Sequence, residues 1–142
     1  MGTKTDASTL IKDLGRVLPL LARDAMAAAM AAGTLPGPEG IAMAPHLRAV
    51  AAEETRNVES VAARIASLGG SPTLGLEALE APRTWRASLK WLAKMQRESI
   101  DALVEAIPAD ADDAEGEATE HLLEHLISRK RDAVEILLRA GR

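Results

Sequence analysis

Three polar residues lie in the middle of apolar helical stripes, where side chains are expected to be buried. They are Glu54, Gln96 and Lys130. At about 100° per residue, Glu54 lies between Val50 and Val58 on its own helical face. Each of the three is near the midpoint of its segment, so they could meet at one level of a helical core. A buried carboxylate is costly unless it is paired or bound to a metal, so Glu54 needs a partner.

Two interpretations of this set are open. In one, Glu54 is a metal ligand. In the other, Glu54 pairs with Lys130, and Gln96 bridges them through hydrogen bonds. We prefer the second, because an ammonium group beside a carboxylate occupies the electrostatic place of a cation.

His121 and His125 are separated by four residues on the last predicted helix, a spacing that can hold a divalent metal. Three carboxylates are close by in sequence, namely Glu117, Glu120 and Glu124. Both histidines lie roughly 160–200° from Leu123, on the side expected to face solvent. We therefore expect a solvated face, with a surface transition-metal site as the alternative.

Glycine and proline residues divide the chain into four long segments, each with an apolar stripe of helical period. The segments cover residues 8–32, 41 or 45 to 68, 83–107 and 117–140, separated by predicted loops at 34–40, 71–82 and 108–116. Pro19 is expected to kink the first helix rather than end it. The pattern predicts an all-α protein, a single antiparallel four-helix bundle over residues 1–142.

The composition excludes several classes of function. The net charge of −4 argues against a general nucleic-acid binder, which needs a basic face. The absence of cysteine excludes disulfides and thiolate metal sites. There is no apolar signal core near the N-terminus, and no apolar run reaches the ~18–20 residues that span a bilayer. We therefore expect a cytoplasmic protein that binds neither nucleic acid nor membrane.

The second helix carries the most distinctive stretch, EETRNVESVAARIASLGGSP at residues 53–72. It resembles the ferritin-like superfamily, particularly its bacterioferritin and starvation-protein branches. Those families show a carboxylate-rich helix that ends in a basic residue and Ile, followed by Leu-Gly-Gly and Pro. The resemblance implies a ferritin-like bundle, whose relatives hold two irons between the helices.

The ligands implied by the resemblance are mostly replaced here. Such sites use a Glu from each of two helices and a Glu-x-x-His from each of the other two. Glu54 matches a ligand, but Asn57 stands where the following His is expected. Gln96 replaces the third-helix Glu, and Ile127 and Lys130 replace the fourth-helix pair.

On the first helix, the inward positions are expected to be leucines, at Leu14, Leu18 and Leu21. Asp13 and Asp24 lie roughly 80–100° from the centre of that stripe, although a shift of the helix phase at Pro19 would let either of them turn inward. If neither does, one carboxylate of the usual set remains, and a positive lysine in the pocket would repel iron. At the position that corresponds to the haem-binding Met of bacterioferritins the chain has Thr55, so haem is not expected.

The sequence thus predicts a ferritin-like bundle without a complete di-iron site. Its polar core cluster would be Glu54, Asn57, Gln96 and Lys130, a vestige of the metal site. We expect no cofactor, and a binding or structural role rather than catalysis. The alternative is an iron-binding or ferroxidase-type protein that uses Glu54 with neighbours such as Glu53, Asn57 or Asp24.

The second half of the first helix, residues 24–32, is apolar on every side. Met26 and Met30 are expected to point away from the bundle core, and an apolar surface of this kind is usually covered. This predicts a homodimer or larger homo-oligomer formed along the first helix, with both methionines in the interface. The alternative is that this face consists mainly of small alanine side chains and takes part in no interface.

Overall fold

The computed structural model describes residues 6–109 and 112–141. In that part of the chain there are four helices and no strand: α1 Ala7–Thr34, α2 Gly37–Ser67, α3 Trp85–Ala106 and α4 Ala114–Ala140. The prediction of an all-α four-helix bundle is confirmed. None of the described helices is both long and apolar enough to cross a membrane.

Side chains in the sequence fix the starts of three helices. The carboxylate of Asp6 accepts a hydrogen bond from the Ser8 amide, and Asp113 caps α4 through the Gly116 amide. Thr84 caps α3 in the same way. Each cap satisfies one of the backbone N–H groups that a helix leaves unpaired at its N-terminus.

The turn between α1 and α2 is shorter than predicted, because it consists only of Leu35 and Pro36. Gly37 takes a positive φ of 74°, and Pro38 lies in the first turn of α2, where a missing N–H has no consequence. A side chain at Gly40 would collide with the backbone of Leu35. This close approach lets α2 begin at once, within the segment predicted as a loop.

Residues that often break helices lie inside α1 and α2 without ending them. Pro19 lies inside α1, which also continues through Gly33, and Pro45 lies inside α2. α1 was predicted to end at residue 32, before Gly33, whereas it continues two residues further, to Thr34. Pro45 had been one of two candidate starts for α2.

The helices are arranged around one long crossover. α2 and α4 run in opposite directions, because Glu54 contacts Lys130 whereas Arg64, further along α2, contacts Thr119, which is earlier in α4. α1 is likewise antiparallel to α3, because Leu14 near the start of α1 shares a core cluster with Leu103, whereas Ala28 near its end shares one with Leu89. α1 is also antiparallel to α2 across the short turn. Consecutive helices α2 and α3 are therefore parallel. The connection over residues 68–84 returns the chain along the bundle, a distance of about 33 Å for a helix the length of α3.

The core has two apolar halves with a polar layer between them. One half is centred on Leu14, Leu21, Val61, Leu103 and Leu123. The other is centred on Ala27, Ala31, Leu47, Leu92 and Leu137. On every helix the buried charged or amide residues fall between the two sets. They are Asp24 on α1, Glu54 and Asn57 on α2, Gln96 on α3, and Lys130 on α4.

Candidate functional site

Lys130 lies at the centre of the polar layer. Its side chain is 0% exposed. Its Nζ donates to Asp24 Oδ2 at 2.8 Å, to Glu54 Oε2 at 2.7 Å and to Gln96 Oε1 at 3.0 Å. An ammonium group has three hydrogens, so all of its donors are used. The ammonium group of Lys130 on α4 is thus bonded to one residue from each of the other three helices. The structure brings Glu54, Gln96 and Lys130 together.

The orientation of Asp24, which the sequence left open, is inward. The helical wheel placed Asp24 80–100° from the centre of the α1 stripe, yet it is 1% exposed. The reason lies in the small residues around it: Ala25, Ala28 and Ala31 are also buried. Small side chains let neighbouring helices approach closely, so a wider arc of α1 is covered than the leucine stripe indicated.

Both oxygens of the Asp24 carboxylate have partners besides Lys130. Ser99 Oγ donates to Oδ2 at 2.5 Å. Arg23 donates to Oδ1 through Nε at 3.3 Å and Nη2 at 3.2 Å, and its Nη2 also donates to the Met95 carbonyl at 2.8 Å. Sequence reasoning missed Arg23 and Ser99. Ser99 could have been noticed, because it follows the inward-facing Gln96 by three residues and so shares its face.

The amide of Gln96 joins the acidic and basic members of the layer. Its Oε1 accepts from Lys130, and its Nε2 donates to Glu54 Oε1 at 3.4 Å. The second contact is long and therefore weak. The amide nevertheless has one orientation that serves both neighbours.

The layer is balanced in formal charge. Asp24 and Glu54 provide two carboxylates, and Lys130 and Arg23 provide two cations. Burial raises the pKa of Glu54 above its ordinary value, while the charge of Lys130 and its hydrogen bond oppose that shift. The nearby charge of Asp24 adds to the upward shift. Lys130 thus favours the ionised form of Glu54 against the larger effect of burial.

Asn57 belongs to the same layer but is held differently. It is 0% exposed, and neither its side-chain nitrogen nor its oxygen has a hydrogen-bond partner among the described residues. It lies one turn beyond Glu54 and close enough to help lower the pKa of that carboxyl, though without the geometry of a formed hydrogen bond. The predicted cluster of four therefore shares one level, but only three members are bonded to one another.

The structure does not bring together the alternative metal set of Glu54, Glu53 and Asp24. The Glu53 side chain is 44% exposed and lies 3.7 Å from Arg129, on the outside of the bundle. Within residues 6–109 and 112–141 there is no group of three or more His, Cys, Asp or Glu side chains placed to hold a metal ion. Only Asp24 and Glu54 of that set face each other across the core.

The remaining predicted residues lie on the surface of the bundle. His121 and His125 are exposed on α4, with ring centroids 6.5 Å apart. Met26 is 45% exposed and Met30 is half-buried on α1. Neither pair contacts the polar layer.

A four-helix bundle with one long crossover, and with a polar layer supplied by all four helices, has the architecture of ferritin-like proteins. The family model for ferritin-like domains matches residues 25–137. The chain therefore belongs to the ferritin-like family, and the resemblance predicted from residues 53–72 is confirmed.

Several solved structures have a similar fold. A ferritin-like diiron-carboxylate protein from Bacillus anthracis has a TM-score of 0.86 at 21% identity, covering 99% of this chain and 100% of that one. A dodecameric thioferritin, the bacterioferritin-related protein of Bacteroides fragilis, has 0.85 at 17%, covering 96% and 86%. Dps from Staphylococcus aureus has 0.82 at 13%, covering 94% and 95%. The comparison with curated proteins gave no match. At these identities the likeness establishes the fold.

Proposed function

We propose that this protein is a ferritin-like bundle in which a buried ion-pair layer replaces the dinuclear metal site. It serves as a binding or structural module and not as a ferroxidase. The observation that carries this proposal is Lys130, whose fully buried ammonium group is bonded to Asp24, Glu54 and Gln96.

The polar layer occupies the positions of the family's ligands without supplying their chemistry. The family pattern is a Glu from each of two helices and a Glu-x-x-His from each of the other two. Here Asp24 is the α1 contribution, and the two motif pairs read Glu54-x-x-Asn57 and Ile127-x-x-Lys130. The α3 contribution is Gln96. With two carboxylates and no imidazole, this donor set does not suit two irons.

Electrostatics argue in the same direction. A bound divalent ion is stabilised by carboxylates that outnumber nearby cations, but here Asp24 and Glu54 are already neutralised by Arg23 and Lys130. Metal binding would add positive charge to a balanced and desolvated layer, in which the Lys130 ammonium already lies within 3 Å of one oxygen of each carboxylate. The ion would have to displace Lys130 into an apolar surrounding, which is strongly unfavourable.

A structural role follows from where the layer lies. The bonds of Lys130 to three other helices form at one register only, so a shift of any of these helices would leave a buried charge without its partner. Buried polar groups can specify register at some cost in stability. The layer thus aligns the two apolar halves of the core.

Assembly is the second part of the proposal. We propose a homo-oligomer formed along α1, with Met26 and Met30 in its interface. The exposure of Met26 at 45% supports it, and so does the exposure of Ile41 at 76% in the first turns of α2. The Bacteroides fragilis relative is dodecameric. In such an oligomer, the surface that binds a partner would be formed by several copies of this chain.

Metal loading tests the first part. Purified protein is incubated anaerobically with Fe(II), desalted, and analysed for metal by mass spectrometry, beside a Glu54→Gln variant. We expect the two proteins to retain the same small amount of iron. Retention of about two irons per chain, lost in Glu54→Gln, would establish the family's chemistry and overturn the proposal.

The alternative function, an iron-binding or ferroxidase-type protein, is favoured by one observation. Asp24 Oδ2 and Glu54 Oε2 both lie within 3 Å of the same nitrogen, so their oxygens converge on one point. If iron displaces Lys130 there, oxygen consumption on Fe(II) addition should fall in both Glu54→Gln and Asp24→Asn variants. Equal rates in all three proteins exclude this alternative.

A further inference from the structure

The outer face of α4 carries two imidazoles that the polar layer does not use. His121 and His125 are both exposed, their ring centroids are 6.5 Å apart, and their planes differ by 17°. Among the described residues, neither ring makes a hydrogen bond or an ion pair. The rings thus leave one helix side by side, with their nitrogens free for a ligand.

We propose that His121 and His125 form a surface site for one divalent transition-metal ion, of the class that includes copper, nickel and zinc. The site belongs to α4 alone. It does not depend on the polar layer or on the function proposed for it.

The geometry needs little adjustment to chelate an ion. Zinc binds imidazole nitrogen at about 2.0–2.1 Å, so two rings that share an ion have centroids roughly 5 Å apart. The observed 6.5 Å therefore has to shrink by roughly 1.5 Å. Rotation of the two side chains between neighbouring torsions achieves this, because both are exposed. The helix itself is firmly fixed, since Leu123 and Leu126 on its other face are buried in the core.

The surroundings determine the type of ion. Exposed carboxylates at Glu117 and Glu124 flank the pair on the same helix and raise the local concentration of cations. The part of the chain that the structure describes offers no third protein ligand in place, so water completes the coordination sphere. Imidazole favours copper, nickel and zinc, whereas magnesium and calcium prefer oxygen ligands. We expect copper to bind most tightly.

Calorimetric titration of the full chain with copper, nickel, zinc and magnesium salts tests the site. We expect one copper, nickel or zinc ion per chain and no comparable magnesium binding. Both His121→Ala and His125→Ala should weaken binding by about tenfold or more, because each removes the chelate and leaves a single imidazole. Circular dichroism should show unchanged helicity, since both positions are exposed.

A matched control keeps two exposed imidazoles but separates them. In the double variant His125→Ala with Ser128→His, the rings are seven residues apart, about 10.5 Å along the helix, too far to share an ion. It should bind as weakly as His125→Ala alone. Equal binding by the wild type and this control, or equal binding of magnesium, would show that the acidic surface and not the histidine pair attracts the ion, and would overturn the proposal.

Discussion

The ammonium nitrogen of Lys130 lies 2.7 Å from Oε2 of Glu54, across the contact between α4 and α2. Both side chains are almost completely removed from solvent, and the same nitrogen reaches Asp24 on α1. In a ferritin-like bundle this is the level at which four helices direct their metal ligands inward. In this protein the ammonium group of Lys130, a side chain of α4, is instead hydrogen-bonded to the carboxylates of Asp24 and Glu54.

Removal of the central cation should destabilise the bundle strongly. Lys130→Met leaves Asp24 and Glu54 buried without their shared partner, and the free energy of unfolding should fall by about 3–5 kcal/mol. The midpoint of urea denaturation at neutral pH measures the change. Arg129→Ala is the matched control. This neighbouring residue is exposed and makes only a 3.7 Å surface pair, so its loss should change stability by less than about 1 kcal/mol.

A compensated variant separates charge burial from the loss of packing. When Asp24→Asn and Glu54→Gln are added to Lys130→Met, no buried charge is left without a partner among these three residues, and much of the lost stability should return. If the triple variant is as unstable as Lys130→Met alone, unpaired charge is not the cause.

The protonation of Glu54 should make stability depend on pH in a defined direction. Burial raises its pKa above the ordinary value of 4.5 in the folded protein. The folded state then holds the proton more tightly than the unfolded chain does. This contribution to stability is fully present below pH 4.5 and is lost as the pH rises through the raised folded-state value.

A Glu54→Gln variant isolates this effect, because glutamine does not titrate. The difference in free energy of unfolding, wild type minus variant, should decrease as the pH is raised from about 4 to about 8. Chemical denaturation at several pH values provides the measurement, with Glu53→Gln as the surface control. A difference that is flat or rises with pH would contradict the upward shift.

Restoring the family's ligand pattern should restore metal binding in the core. The variant with Asn57→His, Gln96→Glu, Ile127→Glu and Lys130→His has two Glu-x-x-His pairs, with Asp24 and an α3 glutamate completing the set. We expect it to bind about two more Co(II) ions per chain than the wild-type protein does, seen by visible absorption and calorimetry.

The control for this design omits one change. The triple variant that keeps Lys130 retains the ammonium group at the centre of the site, and repulsion between cations should prevent binding. If this triple variant binds cobalt as well as the quadruple variant does, Lys130 is not what excludes metal from the bundle.

Charge placed on the exposed face of α1 should break the proposed assembly. Met26→Glu and Met30→Glu would bury like charges against each other across a symmetric interface, at a cost that opposes association. Light scattering coupled to size exclusion should show a smaller species than the wild type. Glu98→Gln on α3, outside the proposed interface, should leave the mass unchanged. An unaltered mass in both methionine variants places the interface elsewhere.

The sequence by itself determined the helices and the inward direction of three polar residues. Apolar periodicity, with glycine and proline as breaks, located α1 to α4 to within a few residues, except at the start of α2. Periodicity reports the angle of a side chain on its own helix, and for Glu54, Gln96 and Lys130 that angle was enough. Residues 53–72 also carried enough of the family pattern to identify the fold.

Only the tertiary structure decided which residues complete the layer. The burial of Asp24 depends on how closely other helices approach the alanine-rich half of α1, and this distance is not encoded in the periodicity of α1 alone. The contacts of Arg23 and Ser99 follow from that approach. The crossover that makes α2 and α3 parallel likewise depends on packing over the whole bundle. A helical wheel gives a direction, whereas a buried ion-pair layer needs distances among four helices, and those are set only when the chain has packed.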